Sequence, residues 1–185
     1  MTINPAKSVC LRIGPNWNSV PACISTLNGA VISWQQSFRY LGVHIVAGHV
    51  FSCSIDSAKC AFYRAFNAVY GKDGNVASEE VILHIVKSKC MPLLLYGTEA
   101  MRLKKAQVKS AEFAVTNCFM KIFKTKSKEV VTECMSYLNF EDFSVCVSRR
   151  KRKFLTNFIA NFDSHVVCCV FIDMARAELK SISIG

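Results

Sequence analysis

Residues 24–46, ISTLNGAVISWQQSFRYLGVHIV, are soon followed by residues 56–70, DSAKCAFYRAFNAVY, and the change of period between the two stretches decides the fold. In the first, Asn28-Gly29 separates Ile24–Leu27 from Ala30–Trp34, and an Asn-Gly pair between apolar runs is a strong hairpin signal. Phe38–Val46 reads as a further strand. In the second, Phe62, Ala65, Phe66 and Val69 fall at i, i+3, i+4 and i+7, the spacing of one helix face. Ser54 or Asp56 is the expected N-cap and Gly71 the expected stop. The predicted class is therefore α+β, a small N-terminal antiparallel β element followed by a mainly helical bundle.

Outward from this junction the pattern persists. Val9–Ile13 is apolar and strand-like, and Gly14-Pro15-Asn16 ends it with turn chemistry. After a turn at Lys72-Asp73-Gly74-Asn75, Ser78 is placed to cap a helix with Glu79 and Glu80 in its first turn. Its apolar side carries Val81, Ile82, Ile85, Val86 and Cys90, opposite His84, Lys87 and Ser88, and Pro92 is expected to kink or end it. Lys104–Lys124 has the clearest two-faced pattern: Val108, Ala111, Val115, Phe119 and Ile122 on one stripe, with Ser110, Asn117, Lys121 and Lys124 across from them. A short helix is predicted over Lys128–Leu138 and a longer one over about Phe143–Phe162, with Phe154, Leu155, Phe158, Ile159 and Phe162 as its apolar face. Val166–Ile172 fits either a buried strand or part of a helix.

With 23 Lys and Arg against 13 Asp and Glu, the net charge of +10 favours an anionic partner such as a phosphate backbone or an acidic membrane surface. The hydrophobic share of 51% argues against disorder. The longest apolar runs, Met91–Tyr96 and Val166–Ile172, fall far short of the roughly 20 residues of a spanning helix, so no membrane span is predicted, and the N-terminus lacks a signal-peptide pattern. The ten cysteines form no C-x-x-C pair. They read as free thiols buried as small hydrophobes, which implies an intracellular, reducing setting, cytoplasmic or nuclear. His44, His49, Cys53 and Cys60 match no zinc-finger spacing, so no metal is expected.

Three further segments share an order and spacing: Asn4–Gly14 (NPAKSVCLRIG), Phe38–Val43 (FRYLGV) and Leu93–Ala100 (LLLYGTEA). Together they resemble the end of the reverse transcriptase domain of non-LTR (LINE-type) retrotransposons, from the palm edge through the thumb, over about Asn4–Asn139. The resemblance implies a palm-edge and primer-grip-like segment over residues 1–50, a helical thumb-like region over 51–139 and a C-terminal helical extension over 140–185. It implies that Lys7, beside Asn4 and Ser8, lies near the incoming nucleotide, that Arg39, Tyr40 and Gly42 belong to a primer grip, and that Leu93–Glu99 belongs to the thumb, where Gly97 permits close helix approach or a sharp exit and Tyr96 offers a ring with a polar tip. The aromatic residue usual in the family after the Glu is replaced by Ala100 and Met101.

Such polymerases align two divalent cations about 3.5–4 Å apart on converging carboxylates, supplied in the family by an upstream aromatic-x-Asp-Asp motif. No Asp-Asp pair occurs here and the first acidic residue is Asp56. Catalysis is therefore not expected of this polypeptide, and Mg²⁺ belongs only to an intact parent enzyme. What remains is a set of substrate-handling parts, with RNA, DNA or RNA–DNA hybrid as the expected partner. Arg102–Lys128 holds eight basic residues and one acidic residue, Glu112, so Lys109, Lys121 and Lys124 are candidate phosphate contacts. Arg149–Lys153 (RRKRK) adds Arg149, Arg150 and Lys151, in a run that also suits a nuclear-localisation patch. The alternatives are a stand-alone basic helical interaction module and a peripheral protein on anionic lipid. Strand edges left without palm neighbours, with Phe38, Tyr40 and Val43 uncovered, predict self-association.

Overall fold

A computed structural model describes residues 3–73, 77–162 and 169–183, and shows a small strand region followed by helices, an α+β fold. The Gly74-Asn75 part of the expected turn, the side chain of Phe162 and Val166–Cys168 lie outside the described residues. The chain divides into two compact units, Met1–Ser57 and Ala58–Gly185.

The N-terminal unit contains two three-stranded sheets. In the first, β3 (Val31–Trp34) lies between β1 (Val9–Cys10), which pairs with it in parallel, and β2 (Ile24–Ser25), which pairs with it antiparallel. The Asn28-Gly29 hairpin is present, with Gly29 at φ 79° and its N–H donated to the Thr26 carbonyl. The expected strand Val9–Ile13 is shorter, because beyond Cys10 the chain turns away and Ile13 bridges to Gly48.

The second sheet runs β4 (Ser37–Tyr40), β5 (Val43–Val46), β6 (Ser52–Ser54), all antiparallel. Phe38–Val46 is thus a hairpin rather than the single strand expected. Tyr40 pairs with Val43, so Leu41 and Gly42 alone form the turn, both with positive φ, 46° and 84°. That is the two-residue geometry whose twist matches its strands. Leucine in place of the usual Asn or Asp is what concealed it. Self-pairing also leaves Phe38 and Val43 half-buried, while Tyr40 stays exposed. Among the described residues of this unit the buried apolar side chains are Ile32, Ala47, Cys53 and Ile55.

The helical unit is built on α4 (Lys105–Ile122), whose Ala111, Ala114, Val115, Cys118, Phe119 and Ile122 are all buried. Phe119 is fully enclosed and meets the ring of Phe140 edge-on at 4.8 Å between centroids. Burying one such phenyl group contributes about 1.5–3 kcal/mol. Phe140 is delivered there by the end of α5 (Lys128–Tyr137): Asn139 takes φ 48° and the Phe140 N–H reaches back to the Met135 carbonyl, a Schellman closure. α4 ends the same way, with Lys124 at φ 50° and the Thr125 N–H on the Met120 carbonyl.

Helix α1 (Asp56–Asp73) runs through Gly71 instead of stopping there. The Ser54 hydroxyl accepts from the Asp56 N–H at its start. Its buried Phe62 and Phe66 lie on the predicted face. α2 (Glu79–Ile85) continues without a break through a π turn over Val86–Cys90 into α3 (Met91–Leu94). Pro92 neither ends nor breaks this helix. The wider turn carries the Met91 N–H to the Val86 carbonyl, and Pro92 falls in the first turn of α3, where a missing N–H is tolerated. The buried positions of this helix include Ile82, Leu83, Val86 and Cys90, whereas Val81 is exposed. α6 (Phe143–Phe162) and α7 (Cys169–Ser183) complete the unit, and helix is the state adopted by the described part of Val166–Ile172.

The described cysteines are free thiols, and Cys23 and Cys60 are exposed rather than buried. Burial beside Cys90 pushes the Cys118 thiol up to about 12, so it behaves as a small hydrophobe.

A left-handed backbone costs a leucine about 1–2 kcal/mol that asparagine largely avoids. Leu41→Asn is therefore expected to stabilise the N-terminal unit by about 1 kcal/mol. Urea unfolding followed by the emission of Trp17 and Trp34, both in this unit, checks it. A lowered midpoint would contradict the turn assignment.

Candidate nucleic-acid interface

Charge is unevenly divided between the units. The first holds three basic side chains and one acidic one, which leaves twenty basic and twelve acidic in the helical unit. How these cations are held decides which of them are available.

Helices α1 and α4 run parallel, as shown by two bonds with the same sequence offset: Lys59 Nζ donates to Ser110 Oγ at 2.9 Å, and Tyr70 O–H to the Lys121 carbonyl at 2.9 Å. Their C-terminal ends therefore lie side by side. Lys121 sits at this joint, with Nζ 3.3 Å from Asn67 Oδ1 and 5.9 Å from the Phe66 ring centroid. Its partners are neutral, so its charge is not cancelled. Lys124 and Lys126 follow at once, both exposed. Cations here also offset the negative ends of the helix dipoles.

Lys109 is not part of this joint. It lies on another side of α4, at the rim of a 770 Å³ groove formed with α5 and the start of α6, where Phe113 and Val145 are exposed and Glu112 and Asp142 contribute negative charge. The single basic face expected along α4 is thus split. Periodicity places Lys109 and Lys121 about a third of a turn apart, a separation that charge counting along the sequence does not register.

The Arg149–Lys153 run is largely used inside the protein. Arg149 pairs with Glu141. Arg150 grips Glu99 through Nε and Nη2, both at 3.3 Å, a forked contact. Lys151, with its side chain 16% exposed, pairs with Glu178 of α7 and also reaches the Met101 carbonyl. Arg152 donates to the Ile182 carbonyl near the C-terminus of α7 at 3.3 Å. Lys153 is exposed and has no side-chain partner among the described residues. The partners of Arg150 and Lys151 come from distant parts of the chain, so the run alone could not disclose them.

In the N-terminal unit, Lys7 is exposed at the end of a short 3-10 turn, Pro5–Lys7, closed by the Asn4 side chain accepting from the Ala6 N–H at 3.0 Å. Arg39 faces His44 across the β4–β5 ladder, and His44 Nδ1 lies 2.9 Å from Ser57 Oγ. Tyr40 pairs with Val43 at the base of the hairpin turn, and Gly42 is one of its two turn residues. In the helical unit, Gly97 at φ 73° makes the exit from α3, Tyr96 is exposed, and Thr98 is fully buried with its hydroxyl donated to the Leu95 carbonyl at 2.8 Å. Among the described residues no group of three or more His, Cys, Asp or Glu is placed to hold a metal ion, and no helix is long and apolar enough to cross a membrane.

No family model, curated protein or solved structure matches the chain.

The ion pairs separate structural from available cations within one short run. Lys151→Ala removes the partner of the half-exposed Glu178 carboxylate and a donor to the carbonyl of buried Met101, and is expected to destabilise the helical unit by about 1 kcal/mol. Lys153→Ala, by contrast, should stay within about 0.5 kcal/mol of the parent. Urea unfolding followed by far-ultraviolet circular dichroism distinguishes them, and equal effects would refute the assignment.

Proposed function

We propose that the chain is a non-catalytic nucleic-acid-binding protein related to the palm edge and thumb of a LINE-type reverse transcriptase, and that it grips RNA, DNA or RNA–DNA hybrid through phosphates. Support comes from the three quoted segments and, above all, from one physical observation. None of the eight basic side chains from Arg102 to Lys128 has a carboxylate partner among the described residues. By contrast, Arg149, Arg150 and Lys151 in the nearby run are paired. A protein that leaves this much charge uncancelled gains affinity for a polyanion by releasing its counterions.

Contacts of this kind position a backbone without reading its sequence. Lys121, Lys124 and Lys126, at the joined ends of α1 and α4, form the core of the proposed contact. Lys7, Arg39, Tyr40 and Gly42 would contact the primer end, as the family resemblance implies. The groove beside Lys109 favours a second use, as a protein-interaction surface, because Glu112 and Asp142 repel phosphate there while Phe113 and Val145 offer apolar area.

Binding of a labelled RNA–DNA hybrid, followed by anisotropy across a salt series, tests the main proposal. Lys121→Gln with Lys124→Gln is expected to make the slope of log affinity against log salt shallower by roughly 2, close to one counterion per lost contact. Glutamine avoids adding negative charge at a helix C-terminus. A slope unchanged in a folded variant would remove this joint from the interface, and absence of binding would refute the function.

A further inference from the structure

Among the described residues of the N-terminal unit, a 70 Å³ pocket brings together Arg12, Ser19, Trp17, Trp34, Gln35 and Gln36. It holds several water-sized volumes, the scale of one pyrimidine ring. Its walls are ordered by the surrounding backbone. Trp34 on β3 donates its indole N–H to the Ala22 carbonyl at 2.9 Å, and the Trp17 N–H closes a turn on the Gly14 carbonyl at 3.1 Å. Gln35 is pinned through its N–H to the Cys10 carbonyl, and the Gln36 carbonyl accepts from Ala47. Neither glutamine side chain has a hydrogen-bond partner among the described residues, and each amide offers both donors and an acceptor.

Arg12 is the informative member. Its guanidinium lies 5.7 Å from the Trp34 ring centroid. All three of its hydrogen bonds leave from Nη1, to the Asn16 carbonyl, the Ser19 carbonyl and Ser19 Oγ. These acceptors are neutral. The unit's one acidic residue, Asp56, accepts from Ser54 Oγ instead. The guanidinium thus keeps its full charge, with the donors of Nε and Nη2 still to be used. A phosphate or a carboxylate matches such a fork, and of the two the proposed function supplies phosphate.

We infer that Trp17, Trp34 and Arg12 form a binding site for an unpaired nucleobase and its phosphate, the base stacking on indole and its edge meeting Gln35 and Gln36. The inference rests on the proposed function and deepens it, adding a base-stacking contact to a surface that otherwise meets phosphates. Stacking on an aromatic ring with an arginine beside it is tolerant of sequence, since every base has a π-face. A proline-rich peptide would use the two indoles but would leave the uncancelled cation without a partner.

The chain's two tryptophans are Trp17 and Trp34, so intrinsic emission reports on this site alone. The full-length protein is titrated with oligothymidylate and with an abasic strand of the same length, binding being followed independently by anisotropy of labelled strands. Oligothymidylate should quench the emission, and the abasic strand should bind without quenching. Trp17→Ala should weaken oligothymidylate binding about tenfold and leave the abasic affinity unchanged. Gln36→Ala, an exposed change, provides a second variant with a smaller loss confined to oligothymidylate. Anisotropy binding without quenching, or variants that affect both strands alike, would overturn the pocket while leaving nucleic-acid binding in place. Quenching by an oligoproline peptide but not by oligothymidylate would overturn it in favour of peptide recognition. No anisotropy change with any strand would refute both the pocket and the function on which it rests.

Discussion

Everything in the helical unit depends on the enclosure of Phe119. Ala111, Ala114, Val115, Cys118 and Ile122 extend the same buried surface of α4. Phe140 closes on Phe119 from the loop after α5, and the left-handed Asn139 is what turns it inward. Asparagine tolerates that conformation better than most residues. At the other left-handed helix end, a lysine stands where glycine or asparagine would be less strained. The left-handed turn at Lys124 is closed by the Thr125 N–H on the Met120 carbonyl, and it leaves a cation at the exposed end of α4.

Charge then divides into two populations by a simple electrostatic rule. Arg150 and Lys151 meet carboxylates in partly enclosed positions, where pairing counts for more than at a fully exposed site. They connect α6 to Glu99 and to α7. Lys121, Lys124 and Lys126 at the end of α4 have no carboxylate partner among the described residues, so their mutual repulsion is relieved when a polyanion binds. The first population belongs to the fold, and the second is what the proposed function uses.

The period change near Asp56 was legible because both stretches carry their faces locally: an Asn-Gly turn on one side, Phe62 and Phe66 a turn apart on the other. The buried stripe of α4 was legible for the same reason. The Leu41-Gly42 hairpin was not, since leucine gives no sign of a left-handed backbone and tertiary pairing overrides its preference. Pro92 misled because the π turn that accommodates it has no sequence signature. Among the candidate contacts, Lys121 and Lys124 were placed at the end of α4 as expected. The structural pairing of Arg150 and Lys151 was hidden, because Glu99 and Glu178 are brought to them only by folding. The pocket at Trp17 and Trp34 was missed although both tryptophans were visible. Its one signal was an arginine with a single acidic residue in its whole unit.

In the proposed nucleic-acid contact it is cations without carboxylate partners, and not basic residues in general, that meet phosphate. Lysine-resolved acetylation of the full chain, with and without saturating RNA–DNA hybrid, tests it most directly. Protection is expected at Lys121, Lys124 and Lys126, with Lys151 slow to react in both states. Hybrid bound with those three lysines as reactive as before, or protection centred on Lys151, would contradict it.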